Sequence, residues 1–233
     1  KIGYVSPDFN KHSIERLLLP TLSNHNHDKF EIFAFAELDK ADSITEQYKS
    51  YVDYWIRTEK MNDDELTQKI RDIGIDILVD LAGHTRNNRL KVFVQKPAPI
   101  SLTWLGFGYT TGLSAIDYIL TDKVMAPKGS EHLFSEKLWK INKHAFCCYK
   151  AQANMARISP LSALSKGFIT FGTLTRTIRI NDRVIKAWAN ILTKVPNSKL
   201  IINSKGFINK GKTIGNFVKK FKNHGISENR LDF

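Results

Sequence analysis

Cysteine is nearly absent from this chain of 233 residues: the only two, Cys147 and Cys148, are adjacent. Adjacent cysteines give neither a C-x-x-C metal spacing nor a disulfide framework, and such sparse use suits a reducing compartment. Long apolar runs are also missing. No stretch reaches the roughly 18 apolar residues of a spanning helix, and nothing at the amino end reads as a secretory signal. A cytoplasmic location without a membrane partner is therefore expected. Metal-binding spacing is missing among the histidines: His25, His27, His132, His144 and His224 form no ligand pattern, so no metal is expected. Acidic residues are scarce in one region only. Residues 151–233 carry Asp182, Glu228 and Asp232 against 15 Lys and Arg, whereas residues 1–150 carry 20 residues of each sign.

What is present is an ordinary globular composition, 42% hydrophobic and 25% charged, which excludes a disordered, collagenous or disulfide-scaffold chain. The net charge of +12 lies wholly in residues 151–233, a step that argues for two units with different tasks. Concentrated positive charge favours a phosphate-rich partner: a nucleotide, a nucleic acid or an anionic membrane. A solvated basic face, or a surface that meets an acidic segment elsewhere, explains the same charge. The chain opens on Lys1 rather than Met, as a processed chain or a fragment does.

Strand and helix patterns alternate. Residues 1–6 (KIGYVS), 30–36 (FEIFAFA), 52–56, 75–81 (IDILVDL), 100–105 and 116–120 read as strands. Residues 14–22, 43–51, 63–73 and 88–94 read as helices, the first ended or kinked by Pro20 and the third acidic in its first turn. Residues 151–165 show no clear periodicity and read as a connection. A second strand–helix series follows: strand 167–174, helix 182–194 capped by Asn181 or Asp182, strand 199–203, basic helix 213–223 and strand 230–233. The fold class is α/β with a mostly parallel sheet in each part. Ligands of open α/β sheets bind beyond the carboxyl ends of the strands, which directs attention to the loops 6–12, 82–89 and 106–112. A parallel sheet that ends on its third strand leaves edges unpaired, so the second part reads as truncated.

Several blocks resemble the catalytic region of the protein O-GlcNAc transferase and SPINDLY family. They are GYVSPDFNKH (3–12), DILVDLAGHTRNNRL (76–90), KPAPISLTWLGFGYTTGLSAIDYILTD (96–122), FSEKL (134–138), and ALSKGFITFGTLTRTIRIN (163–181) with AWANILTKVPNSKLII (187–202). The resemblance implies a GT-B glycosyltransferase of two Rossmann-like lobes with its active site in the cleft between them. It assigns 1–150 to the first lobe, 151–165 to a connecting segment and 166–233 to the start of a second, nucleotide-sugar-binding lobe. It further implies inverting, metal-independent transfer of a sugar to Ser or Thr hydroxyls of intracellular proteins. The donor, UDP-GlcNAc or GDP-fucose, is a substrate, and no cofactor is expected. Family members usually carry tetratricopeptide repeats before this region. The 233 residues by themselves are expected to show little or no transfer.

Breaking a sugar–diphosphate bond builds negative charge on the leaving phosphate, which Lys, Arg, backbone amides and helix N-termini can meet. Arg176, Arg179 and Lys205 are the candidates. By the resemblance, Arg179 stands where the family has a phosphate-contacting lysine and Arg176 where it has Asn or Gln. Arg keeps the charge but not the point geometry of Lys. His12 stands where the resemblance implies a cleft histidine able to accept a proton; capping the next helix is its plain alternative. His84, in a Gly-His-Thr shared with the SPINDLY branch, reads as a cleft residue or as one that satisfies loop backbone. Thr110, Thr111 and Gly112 resemble the family's donor-approaching loop, with Gly108–Tyr109 in place of the usual Pro-Gly; a simple turn uses the same residue types. Asp117 and Asp122 read as structural.

Two other classes remain open at this point. A nucleic-acid-binding protein would use the basic 151–233 segment with Phe207, Phe217 and Phe221, although the four-residue spacing of the last two suits a helix core face. A catalytically degenerate scaffold would keep the fold and bind a protein partner.

Overall fold

The computed structural model describes residues 1–146, 158–204 and 211–233. Cys147, Cys148, Lys205, Phe207 and the first part of the expected connection, 151–157, lie outside the described residues. The chain divides into two compact units, Lys1–Ala153 and Asn154–Phe233.

The first unit is built on a seven-stranded sheet of β1 (Ile2–Ser6), β2 (Ile32–Ala36), β3 (Tyr54–Arg57), β4 (Ile77–Asp80), β5 (Ile100–Thr103), β6 (Tyr118–Thr121) and β7 (Lys137–Lys140). Their spatial order is β3-β2-β1-β4-β5-β6-β7, and every pair is parallel. Parallel sheets are covered on both faces, so their strands are apolar on both sides. β2 shows this directly. Ile32, Ala34 and Ala36 enter one core with Phe9, Leu18 and Tyr48, while Phe33 and Phe35 enter the opposite core with Leu66, Ile70 and Phe93. All five are buried, which is why an alternating-looking sequence does not alternate in exposure.

The covering helices are α1 (Glu15–Leu22), α2 (Ser43–Lys49), α3 (Asp63–Ile73) and α4 (Leu90–Val94). α3 has the start and stop that its sequence demands. Asn62 accepts from the backbone N–H groups of Asp64 and Glu65, Glu65 accepts from the N–H of Asn62, and Gly74 ends the helix at φ 70°. Its Leu66 and Ile70 are fully buried, worth about 1.5–3 kcal/mol each relative to exposure.

Three local features are set by packing. α1 runs to Leu22, within the expected 14–22, and is not ended by Pro20. Proline removes one intrahelical bond there, and burial of Leu18 and Leu22 on the same face holds the last turn. β7 has no strand signal, because at the sheet edge Lys137 and Trp139 are exposed while Leu138 and Lys140 are half-buried. In the segment read as a connection, Ser162–Lys166 forms a short helix, α5, too brief to show periodicity.

The second unit contains β8 (Ile169–Thr173), α6 (Asp182–Lys194), β9 (Ser198–Ile202), α7 (Gly211–Lys222) and β10 (Leu231–Asp232). Its parallel sheet has the order β10-β9-β8, and β8 has one edge unpaired among the described residues. Ile185, Leu192, Leu200, Ile202 and Phe221 form its core.

Candidate functional site

In the order β3-β2-β1-β4-β5, the chain leaves β1 towards β2 on one side and leaves β4 towards β5 on the other. The two loops therefore part at the carboxyl ends of β1 and β4, which are neighbours with Val5 opposite Asp80. Such a switch point opens a crevice at the sheet end where ligands of α/β proteins bind. His12 lies in the loop after β1 and His84 in the loop after β4.

His12 is exposed, with Nδ1 3.7 Å from Asp8 Oδ2. Burial pushes the Asp8 carboxyl above the usual aspartate range, a rise that the nearby His12 offsets only in part. The backbone carbonyl of His12 accepts from the N–H of Glu15, the first residue of α1, but the His12 side chain makes no cap hydrogen bond to that helix, whose N-cap is Ile14.

His84 is held more firmly. Its Nε2 is 2.9 Å from the carbonyl oxygen of Thr111, and the Phe107 ring stands edge-on to it with centroids 6.0 Å apart. Beneath it, Asp80 is buried at the end of β4. Asp80 accepts from the N–H groups of Ala82 (3.1 Å) and Gly83 (2.9 Å) and from the Thr103 hydroxyl (2.7 Å). Burial raises the Asp80 carboxyl, and these donors offset part of that rise. The tight turn at 82–84 is thereby tied to β5. Gly106 presses on the same turn: at φ 56°, a Cβ there would lie 2.4 Å from the Ala82 carbonyl oxygen. Neighbouring Leu105 is buried at φ 63°, a conformation rare for a side-chain-bearing residue.

Thr110 and Thr111 meet a partner that sequence reasoning missed, Glu136. Its carboxylate accepts from the Thr110 hydroxyl (2.8 Å), the Thr111 N–H (2.7 Å) and the Thr111 hydroxyl. The Thr110 oxygen also accepts from the N–H groups of Gly112 and Ser135, both at 3.1 Å. The Thr110 hydroxyl is thus fully engaged within the loop, while Gly112 is exposed at φ 74°. The sequence offers no local signal for Glu136 beyond its place in the FSEKL block, 134–138. Burial pushes the Glu136 carboxyl up, but the Thr111 and Thr110 hydroxyls and the Thr111 N–H outweigh it, and the group sits below the usual glutamate range. A group depressed on folding contributes stability above its unfolded value and loses it as pH falls through the folded value. Acid unfolding of the wild type is therefore expected to be steeper below the ordinary glutamate range than that of E136Q. Equal slopes in a pH series of denaturant titrations would contradict this.

Asp117 and Asp122 act structurally. Asp117 pairs with Lys96 and accepts from the Ser101 N–H at 2.7 Å; Asp122 accepts from the N–H groups of Val124, Met125 and Ala145. A second ion-pair cluster surrounds Arg89. Its guanidinium donates to Glu37, Asp63 and the carbonyls of Thr58 and Met61, at 2.7–3.0 Å. No group of three or more His, Cys, Asp or Glu among the described residues is placed to hold a metal ion.

In the second unit a cavity of about 570 Å³ opens beyond the carboxyl ends of β8 and β9, lined by Thr175, Arg176, Thr177 and Asn203 among others. Arg176 precedes a short 3-10 turn, Thr177–Arg179, that leads into α6. Both arginines are exposed. Asn181 caps α6 by accepting from the Val184 N–H at 3.1 Å. Phe221 is fully buried and Phe217 packs on the same core, so neither forms an open stacking surface. No helix among the described residues is long and apolar enough to cross a membrane.

A parallel sheet with a switch point flanked by histidine-bearing loops, followed by a second parallel unit with a cavity at its strand ends lined in part by Arg176, defines the class: the GT-B glycosyltransferase fold. Comparison with known proteins names the family. The model described as glycosyl transferase family 41 matches residues 1–159, and the chain belongs to that family. The chain is 35% identical over 210 residues to the Solanum lycopersicum protein named "Probable UDP-N-acetylglucosamine--peptide N-acetylglucosaminyltransferase SPINDLY", covering 88% of this chain and 22% of that protein. It is 31% identical over 209 residues to the Arabidopsis thaliana protein of the same activity name ending in SEC, covering 86% and 21% respectively. Among solved structures, a mutant of the Thermobaculum terrenum O-GlcNAc transferase superposes with a TM-score of 0.88 at 30% identity, covering 99% of this chain and 43% of that one. The chain thus spans about a fifth of the length of these curated relatives.

Proposed function

We propose that this chain is part of a protein O-glycosyltransferase that moves GlcNAc from UDP-GlcNAc to Ser or Thr hydroxyls of proteins. The observation that carries this reading is a family 41 sheet whose loops after β1 and β4, parting at the switch point, contain His12 and His84. The names of the relatives favour UDP-GlcNAc; GDP-fucose is the second donor to test. In the proposed step the acceptor oxygen attacks the anomeric carbon opposite the leaving group and forms the new glycosidic bond. The carbon–oxygen bond to the diphosphate breaks and its electron pair stays on the phosphate. A histidine of the first unit takes the hydroxyl proton, and arginines of the second unit with the N-terminus of α6 meet the phosphate charge. The chemistry as proposed uses no metal, and transfer is expected to be unchanged by a chelator.

The test is calorimetric titration with UDP, GDP, UDP-GlcNAc and GDP-fucose, on the longest available form of the protein. One nucleotide is expected to bind selectively. Arg179→Ala is expected to weaken it about tenfold, the low end of the worth of a charge-assisted hydrogen bond. Binding of none of the four by folded protein would overturn the reading in favour of a degenerate scaffold. The 233 residues alone are expected to transfer little or no sugar in an assay that the longer form passes.

A further inference from the structure

We infer that Glu136 is a positioning residue for His84, and that it leaves Nδ1 of His84 as the atom that accepts a ligand's hydroxyl proton. The proposal rests on the functional reading above for the ligand, and on geometry alone for the rest. The partner of His84 Nε2, at 2.9 Å, is a backbone carbonyl. A carbonyl only accepts, so Nε2 carries the hydrogen and donates it. A neutral imidazole has one N–H, which leaves the lone pair on Nδ1.

The carbonyl in question belongs to Thr111, and Glu136 holds Thr111. The Thr111 N–H and hydroxyl both donate to the same carboxylate oxygen, Oε1, while Thr110 donates to Oε2. Glu136 and Thr111 are only 4% and 3% exposed. An ionised carboxylate accepts and never donates, which matches three converging donors, and the downward displacement of Glu136 acidity agrees. His84 is an exposed residue, and the Phe107 ring stands perpendicular to its imidazole. The arrangement is that of a base whose second nitrogen is fixed from behind, with a neutral carbonyl as the fixing group.

The experiment is long-range proton–nitrogen correlation on the His84 ring in the 233-residue chain, at a pH where the ring is neutral. The wild type is expected to show Nε2–H, with that proton protected from exchange with water. In E136Q, which cannot accept from all three donors, protection is expected to fall by at least tenfold with the fold retained by circular dichroism. A wild-type Nδ1–H tautomer overturns the proposal, and that measurement stands even where the variant does not fold. Unchanged protection in folded E136Q overturns the role of Glu136. Adding UDP-GlcNAc, or separately a serine-containing peptide, is expected to shift the Nδ1 signal; the arm that shifts it distinguishes a sugar hydroxyl from an acceptor hydroxyl. Ligands that bind by calorimetry and leave Nδ1 unmoved overturn the assignment of that atom. If neither binds the longest available form of the protein, it is the functional reading that falls, and the proton-protection results on the 233-residue chain still decide whether Glu136 positions His84.

Discussion

Replacing Arg89 with methionine is expected to lower the unfolding free energy by about 3 kcal/mol. That is the low end for removing one partner of a buried ion pair, chosen because Asp63 keeps partial access to water. The Arg89 side chain is 13% exposed, Glu37 15% and Asp63 30%. Methionine fills similar volume, so the loss comes from electrostatics and hydrogen bonds rather than from a cavity. Glu37 keeps the Thr58 hydroxyl at 2.8 Å but loses its only cation among the ion pairs described, and the carbonyls of Thr58 and Met61 lose a donor each. These groups come from the ends of β2 and β3, the turn before α3 and the start of α4, so one residue ties four segments. The denaturant midpoint reads the effect. Adding Glu37→Gln to the variant is expected to recover part of the loss, because the stranded charge goes with it. A single variant within about 0.5 kcal/mol of wild type, the range of ordinary surface changes, would show that the cluster is solvated and dispensable.

Gly106→Ala is the second large effect. The added methyl would meet the Ala82 carbonyl oxygen at 2.4 Å and its carbon at 2.5 Å, both backbone atoms that cannot swing aside. The left-handed backbone adds about 1–2 kcal/mol for any residue with a Cβ, and forced overpacking adds about 1–3 kcal/mol. A loss near 3 kcal/mol is expected. The substitution also pushes the 82–84 turn, so the proton on His84 Nε2 should exchange faster. A stable variant with an unmoved His84 would mean that the 105–108 loop yields instead.

Much of this architecture is legible in the residues. The acidic start and glycine stop of α3, the apolar runs of β1, β2 and β4, and the alternation of strand and helix all follow from local chemistry. The elements that escape notice are those set by neighbours distant in sequence. β7 is a strand because β6 pairs with it, not because Lys-Leu-Trp-Lys prefers to extend. α1 runs through Pro20 because its buried leucines hold the far side.

The site divides in the same way. His12 and His84 are singled out by the resemblance, since a histidine after a strand reads equally well as a helix cap or as a partner for loop backbone. Glu136 is hidden because nothing local shows that a glutamate 25 residues beyond Thr111 folds back beneath it. The two threonines resemble a donor-approaching loop, and their hydroxyls bond to a buried carboxylate.

The position of β1 sets the order in which the first unit can form during synthesis. It is a central strand, flanked by β2, about 30 residues downstream, and by β4, about 75 residues downstream. At about 5–20 residues per second, several seconds pass on the ribosome between the arrival of β2 and that of β4. Through that interval β1 has one open edge, and the loops carrying His12 and His84 are not yet side by side. The nascent chain therefore presents a half-built sheet for a time that chaperones can sense, and the crevice comes into being only when β4 docks.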